Sequence, residues 1–259
     1  MHSNPQSPDL TLRLILGDQL SHAHSWFKEV RDDIIYLMAE SRSETDYANH
    51  HIQKVLGFFY AMRSFADELS QAGHRIIYVT LDDPHNQGSI TAECLHHIKQ
   101  LKITRFEYQE PDEWRVQEHL RLMCEQLPIQ SACVSSEHFL SDDDLWNTVF
   151  KGKKTRIMEN FYRFMRKHHH ILMNDAEPEG GAWNFDKENR KSIPKTVSIP
   201  EPFCFDHDVS PIASMLDRMN VQTIGKVDAQ HFSWPKNREE SLQLMVYFNE
   251  HRSEEHTSE

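Results

Sequence analysis

Short apolar segments alternate with amphipathic segments through the first half of the chain, and this alternation most constrains the fold. The segment at residues 34–38 is nearly all apolar and the segment at residues 10–16 is largely apolar, and both are typical of strands buried on both faces of a parallel sheet. Further strands are predicted at residues 75–81, 105–108 and 129–135. The pattern therefore predicts an α/β fold, a doubly wound domain with a five-stranded parallel sheet.

Helices are predicted between these strands. Apolar residues recur at steps of three and four across residues 52–69, and this helix is expected to end near Gly73. Ser89 is the expected N-cap of a helix that reaches about Leu101, and another helix starts near Asp112. Doubly wound sheets bind ligands beyond the carboxyl ends of their strands, so functional side chains are sought there.

After Phe139 the pattern changes to helix and loop. Residues 174–202 are rich in Gly, Pro, Asn and Glu, which predicts a long ordered connector. Helices are predicted at residues 142–150, 157–167, 211–219 and 238–251. The predicted domains are an α/β domain at 10–138, a helical and extended linker at 139–205, and the start of an all-α domain at 206–251.

The last eight residues, 252–259, have the sequence RSEEHTSE. They read as the in-frame translation of a common sequencing adapter, and we expect them to be a read-through scar outside the fold. The natural gene is accordingly expected to continue past this point.

Composition narrows the class of protein. The opening ten residues lack the apolar core of a signal peptide, and no run approaches the roughly 20 apolar residues that span a bilayer. We therefore expect a cytoplasmic protein without a membrane partner. The formal net charge of -12 disfavours a general nucleic-acid coat protein, because phosphate binding requires basic surface.

The cysteines and histidines do not predict a metal site. The four cysteines lie far apart without a C-x-x-C pair, so we expect buried thiols rather than a zinc site or a disulfide scaffold. The clustered histidines, at 50–51, 96–97 and 168–170, are sequence neighbours that point in different directions on a helix. They are expected to be exposed to solvent.

The ends of the first two predicted strands carry the first candidate site. Gly17 permits close approach of a ligand to the backbone, and the side chains of Asp18 and Gln19 can hydrogen-bond it. Glu40 follows the second strand, so its carboxylate is expected to face the same crevice. A turn with a capping Asp, and a Glu that caps the next segment, are the structural alternatives. The phosphate-loop patterns G-x-G-x-x-G and G-K-[ST] are missing.

Two further segments allow both a functional and a structural interpretation. The helix face around Val55 and Phe58 can wall an aromatic ligand, although most of this stripe must be core. Residues 151–170 mix aromatic residues with cations, which suits contact with a nucleic-acid backbone but is equally typical of a half-buried helix. The candidate DNA-backbone contacts are Lys151, Lys153, Lys154, Arg156, Arg163, Arg166 and Lys167.

Four motifs together resemble the photolyase-related proteins of the bacterial iron–sulfur group, the prokaryotic (6-4) photolyases and their cryptochrome relatives. They are LILGDQL at residues 14–20, EPDEWRV at 110–116, MENFYR at 158–163 and GGAWNFDKENR at 180–190. The resemblance extends from about Leu12 to His251.

This resemblance implies an α/β antenna domain joined to a helical domain that carries FAD and a [4Fe–4S] cluster. The implied antenna is 6,7-dimethyl-8-ribityllumazine, held by Gly17, Asp18, Gln19, Glu40, Val55 and Phe58. Relatives can carry a smaller aliphatic residue at the Phe58 position. The flavin site, the cluster cysteines and the lesion-facing residues are implied to lie beyond this chain, so no catalytic residue is assigned here.

Three functions are therefore considered. The first is the antenna part of a light-dependent DNA photolyase that repairs (6-4) photoproducts in ultraviolet-damaged DNA, with the fragment alone expected to be inactive. The second is a cryptochrome-type blue-light photoreceptor. The third is a simple nucleotide-binding α/β module, which the basic and linker motifs disfavour.

Overall fold

The computed structural model describes residues 9–141, 143–184, 192 and 199–251, without the side chain of residue 143. The predicted scar at 252–259 and the second half of the GGAWNFDKENR motif lie outside the described residues. The chain divides into two compact units. The first unit runs up to Ser136 and resumes at Pro200, and the second runs from Glu137 to Ile199.

The first unit is built on a five-stranded, all-parallel sheet in the order β3-β2-β1-β4-β5, which confirms the predicted fold class. Strand order reverses between β1 and β4, and such a reversal leaves a crevice at the carboxyl ends of the strands. The strands are β1 (Thr11–Leu14), β2 (Ile34–Ala39), β3 (Ile76–Val79), β4 (Arg105–Gln109) and β5 (Gln130–Val134).

Helices cover both faces of this sheet. Successive residues of β1 and β2 point to opposite sides, so two apolar cores form. One lies against α2 (Ile52–Gln71) and α7 (Ser210–Arg218), and the other lies against α3 (Ile90–Gln100) and α4 (Trp114–Gln126). The predicted N-cap is confirmed, because the Ser89 hydroxyl accepts from the Ala92 amide at 3.2 Å. The helices are α1 (Arg42–Asp46), α2 (Ile52–Gln71), α3 (Ile90–Gln100), α4 (Trp114–Gln126), α7 (Ser210–Arg218) and α8 (Arg238–His251).

The residues after 200 belong to the first unit. Ile212, Met215 and Leu216 of α7 are buried in the same core as α2. Further along, a Cβ built on Gly57 of α2 would lie 2.9 Å from the Trp234 ring, so glycine permits this close contact. Residues 206–251 thus include segments that pack on the α/β domain. That they begin an all-α domain remains a prediction.

The second unit contains α5 (Asp143–Phe150), α6 (Met158–His169) and a short hairpin of β6 (Met173–Asn174) and β7 (Glu177–Pro178). The rings of Trp146, Phe150 and Phe161 pack together with centroids 4.6 to 5.9 Å apart. The hairpin and the helical turn that follows it lie where the sequence predicted only an extended connector.

Two predictions about single residue types need correction. Cys94 is buried, but Cys124 is half-buried, and Cys133 and Cys204 are exposed, so the cysteines are not uniformly buried thiols. His97 is also buried, because it lies on the face of α3 that packs toward the sheet.

Within the described ranges, no helix combines the length and the apolarity needed to cross a membrane.

Candidate ligand-binding site

The first unit contains a cavity of about 270 Å³ beyond the carboxyl ends of β1, β2 and β4. It is lined by Gly17 after β1, Ser41 after β2 and Pro111 after β4, and so lies where the strand order reverses. Its volume is just below the range of about 300–1,000 Å³ that is typical of small-molecule sites. The cavity therefore suits a compact ligand.

Gly17 packs closely against two side chains of the cavity wall. A Cβ built on Gly17 would lie 2.9 Å from Met62 Sδ and 3.1 Å from Phe58 Cδ1, and both side chains line the cavity. A larger residue would require the side chains of Met62 and Phe58 to shift. In this structure the close neighbours of Gly17 are two side chains of α2, and the approach of a ligand to Gly17 stays a prediction. Asp18 also lies on the cavity lining.

Helix α2 forms the cavity wall next to Gly17. Val55 is buried, whereas Phe58 is 40% exposed, so that its ring is available on the cavity surface. Lys54 Nζ lies 5.8 Å from the centroid of the Phe58 ring. This arrangement offers a flat apolar surface with a cation beside it, which can pack against an aromatic ring.

Glu40 does not lie on the cavity lining, contrary to the sequence expectation. Ala39 does, and the next side chain along the strand points to the opposite face of the sheet. There the fully buried Glu40 carboxylate accepts from Arg63 Nε at 2.7 Å, the Tyr78 hydroxyl at 2.8 Å and the Leu81 amide at 2.8 Å. Its observed role is to join β2, α2 and the end of β3.

The same carboxylate affects the ionisation of its partners. Burial raises the pKa of Tyr78, and the negative charge of Glu40 raises it further, so the phenol stays neutral. Burial would lower the pKa of Arg63, but the hydrogen bond and the charge of Glu40 raise it overall. The Glu40–Arg63 pair is thus an ion pair held inside the fold.

Gln19 is also turned away from the cavity. The buried side chain accepts from the Leu16 amide at 3.0 Å and donates to the carbonyl oxygens of Gln109 and Glu110, both at 3.3 Å. It therefore bridges the ends of β1 and β4 at the strand reversal. Its observed role is to hold together the two strand ends that border the cavity, and its side chain does not line the cavity.

Sequence reasoning missed the acidic rim of the cavity. Glu44 and Glu113 both line it and both bind the guanidinium of Arg115, whose pKa is raised chiefly by the hydrogen bond to Glu44. Tyr47 lies against the same guanidinium, with Arg115 Cζ 4.3 Å from its ring centroid. The EPDEWRV motif was the available signal, since it contains Glu113 and Arg115 directly after β4.

A further carboxylate of the lining, Glu93, is buried. Glu93 accepts from the Gln87 amide at 2.7 Å, and its other oxygen lies 3.2 Å from Nε2 of the buried His97. Burial lowers the pKa of His97, although the charge of Glu93 opposes this effect. Among the described residues, the lining carries four carboxylates (Asp18, Glu44, Glu93 and Glu113) and one lysine (Lys54).

The predicted DNA-contact residues lie in the second unit and do not share one environment. Arg166 is buried and donates to the carbonyl oxygens of Ile171 and Leu172, so it holds the end of α6 and is not exposed as expected. Arg163 is exposed and paired with Glu159 at 2.9 Å. The remaining predicted contacts, Lys151, Lys153, Lys154, Arg156 and Lys167, are exposed.

In the part of the chain that is described, no three His, Cys, Asp or Glu side chains group as metal ligands.

Comparison with known proteins places this chain in a family. The sequence profile of the deoxyribodipyrimidine photo-lyase-related proteins matches residues 13–232, which is most of the chain. The chain belongs to the deoxyribodipyrimidine photo-lyase-related family. This photolyase-related protein is also 36% identical over 221 residues to a protein named (6-4) photolyase from Agrobacterium fabrum (strain C58). That match covers 84% of the chain but 43% of the relative, so the chain spans less than half of the relative's length.

Proposed function

We propose that this chain is the antenna-binding part of a light-dependent DNA repair protein of the (6-4) photolyase type. The observation that carries the proposal is the cavity of about 270 Å³ at the strand reversal, walled by Gly17 and Phe58. We infer that it binds 6,7-dimethyl-8-ribityllumazine, a flat bicyclic heterocycle with an uncharged polyhydroxyl tail.

The residues of the cavity fit such a ligand. The exposed Phe58 ring and the apolar wall of α2 suit the flat heterocycle, and the side-chain oxygens of Asp18 and Ser41 can accept hydrogen bonds from a ring N–H and from the hydroxyls of the tail. When bound, the lumazine would absorb light and pass the excitation on. The role of this chain is to bind it, orient it and keep water from its ring.

The remaining parts of the proposed activity belong to the longer protein. We propose that it carries FAD and a [4Fe–4S] cluster in a helical domain and acts as a carbon–carbon lyase on ultraviolet-damaged DNA. The (6-4) photolyase relative supports this proposal through its name and its 36% identity. Its catalytic residues are not assigned to this chain, and this chain alone is expected to be inactive.

The exposed cations of the second unit are the proposed DNA-backbone contact. They are Lys151, Lys153, Lys154, Arg156 and Lys167. The segment that contains them has one acidic residue, Glu159, and this carboxylate is paired with Arg163. Each phosphate contact releases counterions, so the affinity of the longer protein for DNA should fall steeply with salt. Arg166 is left out of this proposal because its guanidinium is buried.

A cryptochrome-type photoreceptor is the second candidate, because the same cavity would serve either function. A simple nucleotide-binding module is less well supported. The four carboxylates of the lining disfavour a phosphate group, and no glycine-rich phosphate loop follows β1.

Titration of the purified chain with the lumazine, followed by its fluorescence, tests the antenna proposal. We expect saturable one-to-one binding that AMP does not displace. Phe58→Asp is the pocket variant, since it places a charge against the ring, and Leu95→Asp is a matched change at an exposed leucine on α3. Absence of binding by the wild type, or equal binding by both variants, would refute the proposal.

A further inference from the structure

The segment between β2 and α2, residues 41–51, forms one side of the cavity and is called the strap below. It contains the short helix α1 and contributes Ser41, Glu44, Thr45, Tyr47 and His50 to the lining. Opposite the strap, the cavity is bounded by the start of α4 through Glu113 and Val116.

Both ends of the strap are fixed by contacts with the backbone. At its start, the Ser41 hydroxyl donates to the Gly88 carbonyl at 3.1 Å. At its end, the Ile52 amide donates to the Ile224 carbonyl and the Ile224 amide donates to the His50 carbonyl, both at 2.9 Å. Arg42 also donates to the carbonyl oxygens of Met219 and Asn220, so the strap is held at its start and at its end.

The middle of the strap is tied to α4 by Arg115. Its Nη1 and Nη2 donate to the two carboxylate oxygens of Glu44 at 3.0 and 2.6 Å, and its Nε donates to Glu113 at 2.7 Å. The Tyr47 ring packs on the same guanidinium at 4.3 Å. The contact thus joins strap and helix across the rim of the cavity, with both Arg115 and Glu44 less than a third exposed.

We propose that Arg115 is a positioning residue that latches the strap over the cavity, so that ligand entry and release require this latch to open. A planar guanidinium bound to a carboxylate by two parallel hydrogen bonds holds both partners in a fixed geometry, which a lysine cannot do. The gating part of the inference rests on the proposed function, because it needs a ligand in the cavity. The latch itself does not.

Hydrogen exchange on the whole chain tests the latch without a ligand. Arg115→Met removes the tie from α4, and Glu44→Gln weakens it from the strap. Amide exchange in residues 44–50 is expected to rise about twofold to fivefold in both variants, the range for a partly exposed ion pair. Arg115→Lys should restore only part of the protection.

Arg121→Met is the matched control, because Arg121 lies on the same helix and also binds two carboxylates, Glu118 and Glu125. It is expected to leave exchange in the strap unchanged. Unaltered exchange of the β4 amides shows that a variant is folded. If Arg115→Met does not fold, the Glu44→Gln variant decides whether the latch exists. Strap exchange that equals the wild type in the folded variants would overturn the latch.

Stopped-flow binding of 6,7-dimethyl-8-ribityllumazine tests the gate. Arg115→Met is expected to raise the association and dissociation rates by a similar factor, so the equilibrium constant changes less than either rate. Unchanged rates would overturn the gate. If the wild type bound no lumazine, the proposed antenna function would fail, while the exchange experiment would still decide the latch.

Discussion

Replacing Glu40 by Gln is expected to destabilise the first unit strongly while leaving the cavity intact. The substitution keeps the volume of the side chain but removes the charge that holds Arg63 and accepts from Tyr78 and Leu81. Removing one partner of a buried ion pair typically costs about 3–5 kcal/mol. The Arg63 side chain is 28% exposed and can regain water, so we expect a loss of about 2–4 kcal/mol.

Thermal unfolding followed by far-UV circular dichroism measures this loss. For a unit of this size, about 2–4 kcal/mol corresponds to a fall in Tm of roughly 4–16 °C. Asp82→Asn is the matched control, because it breaks the exposed ion pair between Asp82 and Arg218. That exposed pair should contribute less than about 1 kcal/mol.

The same variant separates a structural role from a ligand-binding role. Since Glu40 does not line the cavity, the folded Glu40→Gln protein should bind the lumazine with the affinity of the wild type. A Tm no lower than that of Asp82→Asn would refute the reasoning about the buried pair. A large loss of lumazine affinity below the Tm would instead restore Glu40 to the ligand site.

Three further outcomes are expected. Burial would raise the pKa of Glu107, but hydrogen bonds from Arg105 and Arg13 lower it overall, so Glu107 contributes stability above about pH 4.5 that is lost as the pH falls. The urea midpoint should therefore fall less between pH 6 and pH 4 in Glu107→Gln than in the wild type. Phe58→Val should enlarge the cavity and raise the affinity for riboflavin relative to the lumazine in fluorescence titrations, and an unchanged ratio would contradict Phe58 as the limit on ligand size. Arg166→Ala should expose the end of α6 to faster hydrogen exchange, because it leaves two carbonyl oxygens without their donor.

The sequence predicted the fold well because the signals for it are local. Nearly continuous apolar strands, the periodicity of α2 and the N-cap at Ser89 each act within a few residues, and all three are confirmed. The short helix α1 was missed, since a five-residue helix between two buried elements has little periodicity of its own.

The candidate site was predicted less well, because it depends on which way single side chains point. Side chains alternate between the two faces of a strand, so a shift of one residue moves a group to the other face. Glu40 was placed on the cavity side by its position after β2, yet Ala39 lines the cavity. The contact of Arg115 with Glu44 joins residues 71 positions apart, which no local pattern reveals.

The charge of the cavity limits what a longer protein can bind there. A dinucleotide such as FAD carries two phosphates and needs more room than about 270 Å³. Arg115 offsets part of the charge of Glu44 and Glu113, and Asp18 and Glu93 add two further carboxylates to the lining. An uncharged heterocycle avoids this repulsion. The proposed photochemistry therefore requires separate sites for the flavin and the lumazine. The acidic lining disfavours binding of the flavin phosphates in the lumazine cavity.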